Sequence, residues 1–101
     1  MGLEAIVCIL ERGKANDVVK KAVEAGARGA TIFFARGSGE TTFSFFHSLN
    51  VETSKEAIII LVSSETKDKV VEAVAAAARV EEKGVGILFT VPVNEIRGLT
   101  L

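Results

Sequence analysis

Residues that could take part in chemistry are few and scattered in this sequence of 101 residues. Cys8 is the single cysteine and His47 the single histidine, so the chain holds no internal disulfide and these two cannot form a soft-ligand metal site alone. Cys8 lies in an apolar run, which favours a buried small side chain over a nucleophile. Ser63 and Ser64 have no Gly-x-Ser-x-Gly setting and are interpreted as helix caps. With no acid–base pair or activated nucleophile, the chain is predicted not to be an enzyme.

Two glycine-containing segments are the remaining candidates for a site. Gly37-Ser38-Gly39 follows a predicted strand, and its Gly-x-Gly spacing is typical of either a simple turn or a phosphate-binding loop. Gly84 and Gly86 follow a predicted helix, where glycines commonly end one element and start the next. The spacing alone leaves both interpretations open.

Composition excludes several classes of protein. Hydrophobic residues make up 49% of the chain and charged residues 25%, which excludes a disordered protein. The chain has twelve Lys and Arg residues and thirteen Asp and Glu residues, so there is no excess of basic residues to indicate nucleic acid binding. No signal peptide is readable, and the longest apolar run, residues 57–62, is far shorter than the roughly 20 residues that cross a bilayer. We therefore expect a cytoplasmic protein without membrane insertion.

The periodicity of apolar residues predicts one domain, residues 1–101, with the order strand, helix, strand, loop or hairpin, strand, helix, strand. This order is the βαββαβ pattern of an α+β, ferredoxin-like fold, with two helices on one face of an antiparallel sheet. Residues 50–55 are polar and are predicted to be loop, and residues 41–49 fit either strand or loop. The predicted strands are 3–10, 30–36, 57–62 and 87–93, and the helices start near Lys14 and near Ser63 and Ser64.

The strands carry too many apolar residues for a sheet covered on one face only. Such a sheet should alternate apolar and polar residues, because its second face is wet. The runs AIVCIL, AIIILV and ILFTVPV do not alternate. A chain of this length has no further helix to cover the second face, so we predict self-association through it.

Several segments together resemble the PII family of trimeric signal-transduction proteins, nearly from end to end. Residues 3–7 are similar to that family's first strand, and Asn16-Asp17-Val18 to the Asp-Asp-Val that begins its first helix. Gly29-Ala30-Thr31-Ile32, leading to Gly37-Ser38-Gly39, is similar to its Gly-x-Thr-Val…Gly-x-Gly segment. Residues 55–64 are similar to the strand after the T-loop, and Lys83-Gly84-Val85-Gly86 to the B-loop.

The resemblance implies a homotrimer that binds a small anionic effector, ATP or ADP in many members, in three clefts between subunits. Some members also bind Mg²⁺ and 2-oxoglutarate. By position, residues 37–55 would be a shortened T-loop region and residues 80–87 the B-loop region. The residues expected at the nucleotide site are Thr31, Gly37, Gly39, Lys83, Gly84 and Gly86; glycines admit an anion close to the backbone and a lysine supplies charge.

The resemblance also implies a protein partner, such as an enzyme or a membrane transporter, bound through the loop of residues 39–54, with a role in nitrogen regulation. Phe43, Phe45, Phe46 and His47 lie in that loop, and aromatic residues are favoured anchors at interfaces. The sequence departs from the family in the B-loop, where Val80-Glu81 replaces Thr-Gly and Ile87 replaces a lysine.

A second interpretation comes from a different class of protein. The chain resembles CutA-like trimers in element order and size, and these are associated with divalent cations. In that case His47, Glu40 and Glu52 from neighbouring subunits would be the ligands. In the first interpretation no metal site is expected.

Overall fold

The computed structural model describes residues 2–37, 53–82 and 84–99, and only the backbone of Gly37 and Thr53. Within these ranges the elements follow the predicted order. The ambiguous segment 41–49 lies outside the described residues. The strands are β1 (Leu3–Glu11), β2 (Thr31–Gly37), β3 (Thr53–Ser63) and β4 (Gly86–Val93), and the helices are α1 (Ala15–Glu24) and α2 (Ser64–Ala78).

The four strands form one sheet in the order β2-β3-β1-β4, and every neighbouring pair is antiparallel. At the centre, Ile6 of β1 lies between Ile60 of β3 and Thr90 of β4. This arrangement is the ferredoxin-like βαββαβ fold. The fold predicted from the sequence is therefore confirmed.

Both helices pack on the same face of the sheet, over the central strands. The apolar residues of α1 recur every three or four positions, and this spacing turns one side of the helix toward the sheet. The same holds for α2. The buried core joins Ala15, Val18 and Ala22 of α1, Val70, Val74 and Ala78 of α2, and Ile6, Cys8, Leu10, Ile58, Ile60 and Val62 of the two central strands.

The opposite face of the sheet is largely apolar, and none of the described elements packs over it; we call it the open face. Side chains alternate along a strand, so the residues between the core positions point to this side. Those of β1 are Leu3, Ala5, Val7 and Ile9, all only partly buried. Phe33, Ile59, Phe89 and Val91, one or two from each of the other strands, are 36–45% exposed. No helix among the described residues covers this face.

Strand β3 begins earlier than the sequence predicts. Residues 53–55, interpreted as loop because they are polar, belong to the strand. The reason is pairing with neighbouring strands: Thr53 and Ser54 lie opposite Gly37 and Arg36 of β2, and Lys55 lies opposite both Ala35 of β2 and Glu11 of β1. Ladder hydrogen bonds satisfy the backbone whatever the side chains are.

Helix α1 takes its N-terminal cap from a distant strand. Its own capping residue, Lys14, makes no side-chain hydrogen bond to the helix. Instead Oε1 of Glu56 in β3 accepts hydrogen bonds from the backbone N–H groups of Gly13 (3.0 Å) and Ala15 (2.9 Å). A carboxylate at this position satisfies free donors and interacts favourably with the helix dipole. Glu56 is buried by this arrangement and connects β3 to the start of α1.

Replacing Glu56 should therefore destabilise the fold. We expect Glu56→Ala to lower the free energy of unfolding by about 1–3 kcal/mol, because two backbone N–H groups lose their acceptor. Glu56→Gln keeps an oxygen acceptor without the charge and should lose less. Urea denaturation measures both. Glu72→Ala, on the exposed side of α2, is the matched control, and an equal loss in Glu56→Ala and Glu72→Ala would contradict the capping role.

The buried thiol predicts a pH dependence of stability. Burial raises the pKa of Cys8 from its ordinary value of 9.0 to about 11. Between these values the thiol ionises in the unfolded chain but not in the folded one. Its stabilising contribution is thus complete below pH 9 and is lost as the pH rises toward 11.

The variant Cys8→Ala isolates this contribution, because all other titrating groups are common to both proteins. We expect the stability advantage of the native protein over Cys8→Ala, measured in urea, to decrease between pH 9 and 11. Parallel stability curves over that range would show that the thiol is not buried in the folded protein.

Candidate functional site

A cavity of about 570 Å³ lies at one end of the sheet, where β3 ends and β2 begins. Its walls come from the loop after α1, from β2 and β3, from the start of α2 and from the C-terminal segment. The aliphatic part is formed by Leu3, Ile59, Leu61 and Leu99, and the polar part by Arg28, Thr31, Ser63 and Thr66. The cavity thus combines an apolar wall with hydroxyl groups and one guanidinium, a combination that suits a ligand with an apolar and a polar side.

The end of α1 shapes one wall of this cavity. Gly26 has a φ of +122°, and its N–H bonds to the carbonyl of Val23 while that of Ala27 bonds to Ala22, both at 3.0 Å. These two bonds form a Schellman motif, which requires the left-handed conformation that glycine adopts readily. The chain then turns back through residues 28–30, which line the cavity, into β2 at Thr31.

The second wall is set where β3 passes directly into α2. Ser63 is the N-cap of α2, as the sequence predicts, but its hydroxyl does not bond to the helix backbone. It lies 2.9 Å from the hydroxyl of Thr66 instead. This contact holds the two hydroxyl groups next to each other at the cavity wall.

The structure separates the predicted site residues of β2. Thr31 lines the cavity at the start of β2, and Gly37 ends the same strand beside Thr53. Six residues of extended chain place these two positions roughly 20 Å apart. They therefore mark the two ends of the sheet edge and do not form one compact pocket.

Gly84 and Gly86 lie at the other edge of the sheet. Gly86 begins β4 opposite Leu10 of β1, so three strand spacings, roughly 14 Å, separate β4 from β2. Within one chain the two groups of predicted site residues are not brought together. However, Gly86 and Gly37 lie at the same end of the sheet, the end at which β1 terminates.

The backbone geometry explains why positions 84 and 86 are both glycine. Gly84 has a φ of +79°, a conformation that side chains rarely adopt. A Cβ on Gly86 would lie 2.8 Å from the carbonyl oxygen of Ile9, too close for any other residue without a shift of the backbone. The close approach of β4 to β1 therefore depends on glycine at position 86.

An ion pair lies at the start of the predicted B-loop region. Arg79 ends α2 in the left-handed conformation, with a φ of 57°. Its Nε and Nη2 donate to the two carboxylate oxygens of Glu82, at 2.8 and 2.7 Å. The hydrogen bond from Arg79, aided by its charge, holds the pKa of the Glu82 carboxyl below its ordinary value. A cation therefore offsets one of the two carboxylates in this region.

A buried cation lies at the Gly37 end of the sheet. Lys55 is 1% exposed and stands between Glu11 of β1 and Ala35 of β2. Burial lowers the pKa of the Lys55 ammonium, while the charge of Glu11 acts in the opposite direction. In the sequence, Lys55 ends a polar segment that is interpreted as loop, so the burial of its side chain is not predicted.

Other predicted residues lie outside the described part of the chain. These are Gly39 and Lys83 of the nucleotide site, Phe43, Phe45, Phe46 and His47 of the partner loop, and Glu40 and Glu52 of the metal alternative. Among the residues that the structure does describe, no three His, Cys, Asp or Glu side chains lie together in a way that could hold a metal ion. Neither described helix is long and apolar enough to cross a membrane.

Most of the residues that line the cavity are not predicted from the sequence. Of the residues that line the cavity, only Thr31 was predicted as a site residue. Ile59 and Leu61 belong to an unbroken apolar run, which resembles any buried strand. Arg28 and Leu99 meet the cavity only because a loop and the C-terminal segment converge there. The one local signal is Gly26, which marks the turn that forms the first wall.

Comparisons with known proteins support one family. The family model of nitrogen regulatory protein P-II matches residues 3–100. Among solved structures, a crystal structure of PII from Arabidopsis thaliana bound to citrate shares the fold, with a TM-score of 0.72 and 24% sequence identity. The match covers 91% of this chain and 78% of that one.

Members of this family are regulatory proteins that are oligomeric and bind targets. The family model spans almost the whole chain, and the ferredoxin-like sheet with two helices is the expected architecture. On these grounds the chain belongs to the P-II family of signal-transduction regulators.

Proposed function

We propose that this protein is a homotrimeric regulator that binds a small anionic effector, an adenine nucleotide, in clefts between subunits. The observation that supports the proposal is that the predicted site residues of the described chain lie at opposite edges of one sheet. The β2 edge has the cavity at Thr31, and the β4 edge has Gly84 and Gly86. One chain cannot join the two edges, whereas the β2 edge of one copy and the β4 edge of the next can meet.

The open face supplies the driving force for such an assembly. It carries apolar residues from all four strands, including Phe33, Phe89 and Val91, each more than 40% exposed in the single chain. Removing apolar surface from water is worth about 25 cal/mol per Å². In the proposed trimer, the open faces of three copies pack around a common axis, and the β2 edge of each copy lies beside the β4 edge of another.

The side chains and backbone at the two ends of the proposed cleft fit an elongated ligand with one apolar and one anionic part. The cavity offers the aliphatic wall of Ile59 and Leu61 and the Thr31 hydroxyl to a flat base. At the other end, the glycine backbone near Gly37 and the predicted B-loop region 80–87 of the neighbouring copy would face the phosphates. Lys83 contributes charge there, and Arg79 offsets Glu82.

In this proposal, residues 37–55 form the shortened T-loop region, and occupancy of the cleft biases the loop of residues 39–54 between conformations. Phe43, Phe45, Phe46 and His47 then engage a target protein, such as an enzyme or a membrane transporter, in the cytoplasm. Support comes from membership of the P-II family, and nitrogen regulation is the context that the family name indicates.

The assembly can be tested on the open face. We expect Phe89→Asp to shift the native mass, measured by light scattering, from a trimer toward smaller species, because a charge would be buried at the interface. Phe34→Asp is the matched control: Phe34 is even more exposed, at 66%, but points to the helix side of the sheet. A monomeric native protein, or equal effects of the two variants, would contradict assembly through the open face.

Nucleotide binding can be tested by thermal shift. Bound ATP or ADP at about 100 times its Kd should stabilise the native protein by roughly 2.7 kcal/mol. Lys83→Glu should abolish the shift by repelling phosphate, whereas Lys20→Glu, the same charge change on exposed α1, should leave it unchanged. A shift with divalent metals alone would favour the CutA-like alternative and overturn the proposal.

A mixing experiment tests whether the site lies between subunits. Thr31→Glu and Lys83→Glu should each abolish binding in the pure variants. When the two are unfolded together and refolded, mixed oligomers contain some clefts with both native halves, and we expect binding to return in part. No recovery from mixtures shown to co-assemble would place both residues in a site within one chain, or outside the site.

A further inference from the structure

Two hydroxyl groups lie next to each other on the polar part of the cavity wall. Oγ of Ser63 and Oγ1 of Thr66 are 2.9 Å apart, and both residues line the cavity and are half-buried. Ser63 is the N-cap of α2, but its hydroxyl makes no hydrogen bond to the helix backbone. Within the described residues, neither hydroxyl has a further hydrogen-bond partner. The pair is therefore not used up by the helix that it precedes.

The loop after α1 fixes the orientation of Thr66. A Cβ on Gly26 would lie 3.1 Å from Cγ2 of Thr66, so the threonine methyl group lies close to the backbone of that glycine. The methyl group faces Gly26, and the hydroxyl on the same Cβ is turned toward Ser63. A polar side chain whose rotamer is set by its packing is preorganised for a ligand.

The pair offers both kinds of hydrogen-bonding group. Each hydroxyl has one proton to donate and lone pairs that accept. One of the two protons is used in the bond between Ser63 and Thr66, and either oxygen can be its donor. In both cases one O–H group and lone pairs on both oxygens remain. The pair can therefore donate one hydrogen bond to a ligand and accept another beside it.

The direction of β3 decides which part of the proposed ligand meets this pair. The strand starts at Thr53, opposite Gly37, and ends at Ser63, so the pair lies at the end away from Gly37. Ile59, Leu61 and Ser63 point to the same side of the strand, because side chains alternate. In the proposed function the base lies against Ile59 and Leu61 with the phosphates toward Gly37. The edge of the base that points away from the phosphates then faces Ser63.

We infer that the Ser63–Thr66 pair binds the edge of the base opposite the ribose and selects a purine with a 6-amino group. In adenine this edge carries the amino group beside the ring nitrogen N1, a donor next to an acceptor. The amino group donates to a hydroxyl oxygen of the pair, and the remaining O–H group donates to N1. This inference rests on the proposed function, because it names the groups that recognise the base in the same site.

Titration of ATP into variants of Thr66 tests the protein side of this contact. Thr66→Val keeps the shape of the side chain without its hydroxyl, and we expect it to bind ATP about three- to tenfold more weakly, as for the loss of a neutral hydrogen bond. Thr66→Ser is the matched control, since it keeps the hydroxyl and should bind much more like the native protein. Equal melting temperatures of the ligand-free proteins confirm that the fold is intact. Equal weakening in both variants would overturn the inference, because shape and not the hydroxyl would matter.

A change in the ligand tests the other side of the contact. Purine riboside 5′-triphosphate has a hydrogen atom where ATP has the 6-amino group. We expect the native protein to bind it about three- to tenfold more weakly than ATP. The double variant Ser63→Ala/Thr66→Val should bind the two nucleotides equally, because the partner of the amino group is gone. The same preference for ATP in both proteins would overturn the inference, because the amino group would then be recognised elsewhere.

The outcomes separate this inference from the proposed function. Equal affinity of the native protein and Thr66→Val for ATP would overturn the role of the hydroxyl pair and leave the nucleotide site standing. No binding of ATP by the native protein would overturn the proposed function, and recognition of the base with it.

Discussion

The apolar character of both faces of the central strands is the constraint on which the rest of this molecule depends. Helices α1 and α2 cover one face, where Ile6, Cys8 and Leu10 alternate with the residues of the other face. On the open face, Phe89 and Val91 stay accessible in the single chain. A monomer rarely exposes a large apolar sheet face, and in the proposed assembly the other copies cover this one.

A second constraint acts across the covered face. The carboxylate of Glu56 holds the turn before α1 by two hydrogen bonds, and its neighbour Lys55 is buried toward the opposite side of the same strand. Two consecutive charged residues thus lie buried near the start of β3, where the region expected to be the T-loop region ends. The position of this strand is therefore set by polar contacts as well as by apolar packing.

The elements and the fold could be predicted from the sequence because they depend on local periodicity. A few neighbouring residues are enough to indicate each element. Helix α1 is indicated by the helical spacing of Ala15, Val18 and Ala22, and strand β3 by the apolar run of residues 57–62. The predicted start of β3 was wrong because pairing with β2, and at Lys55 also with β1, overrides the polar character of residues 53–55. Glu56 accepts a hydrogen bond from a residue 41 positions away, and Leu99 lines a cavity together with residues of β1 and β3; no local pattern indicates either placement.

The placement of Thr31 and Gly86 at opposite edges of the sheet has a consequence for how such a regulator behaves at low abundance. If each cleft needs two copies of the chain, then effector binding and subunit association are linked by mass action. Dilution of the protein weakens its apparent affinity for the effector, and a saturating effector holds the subunits together. The sensor then responds to its own concentration in the cell as well as to that of the molecule it detects.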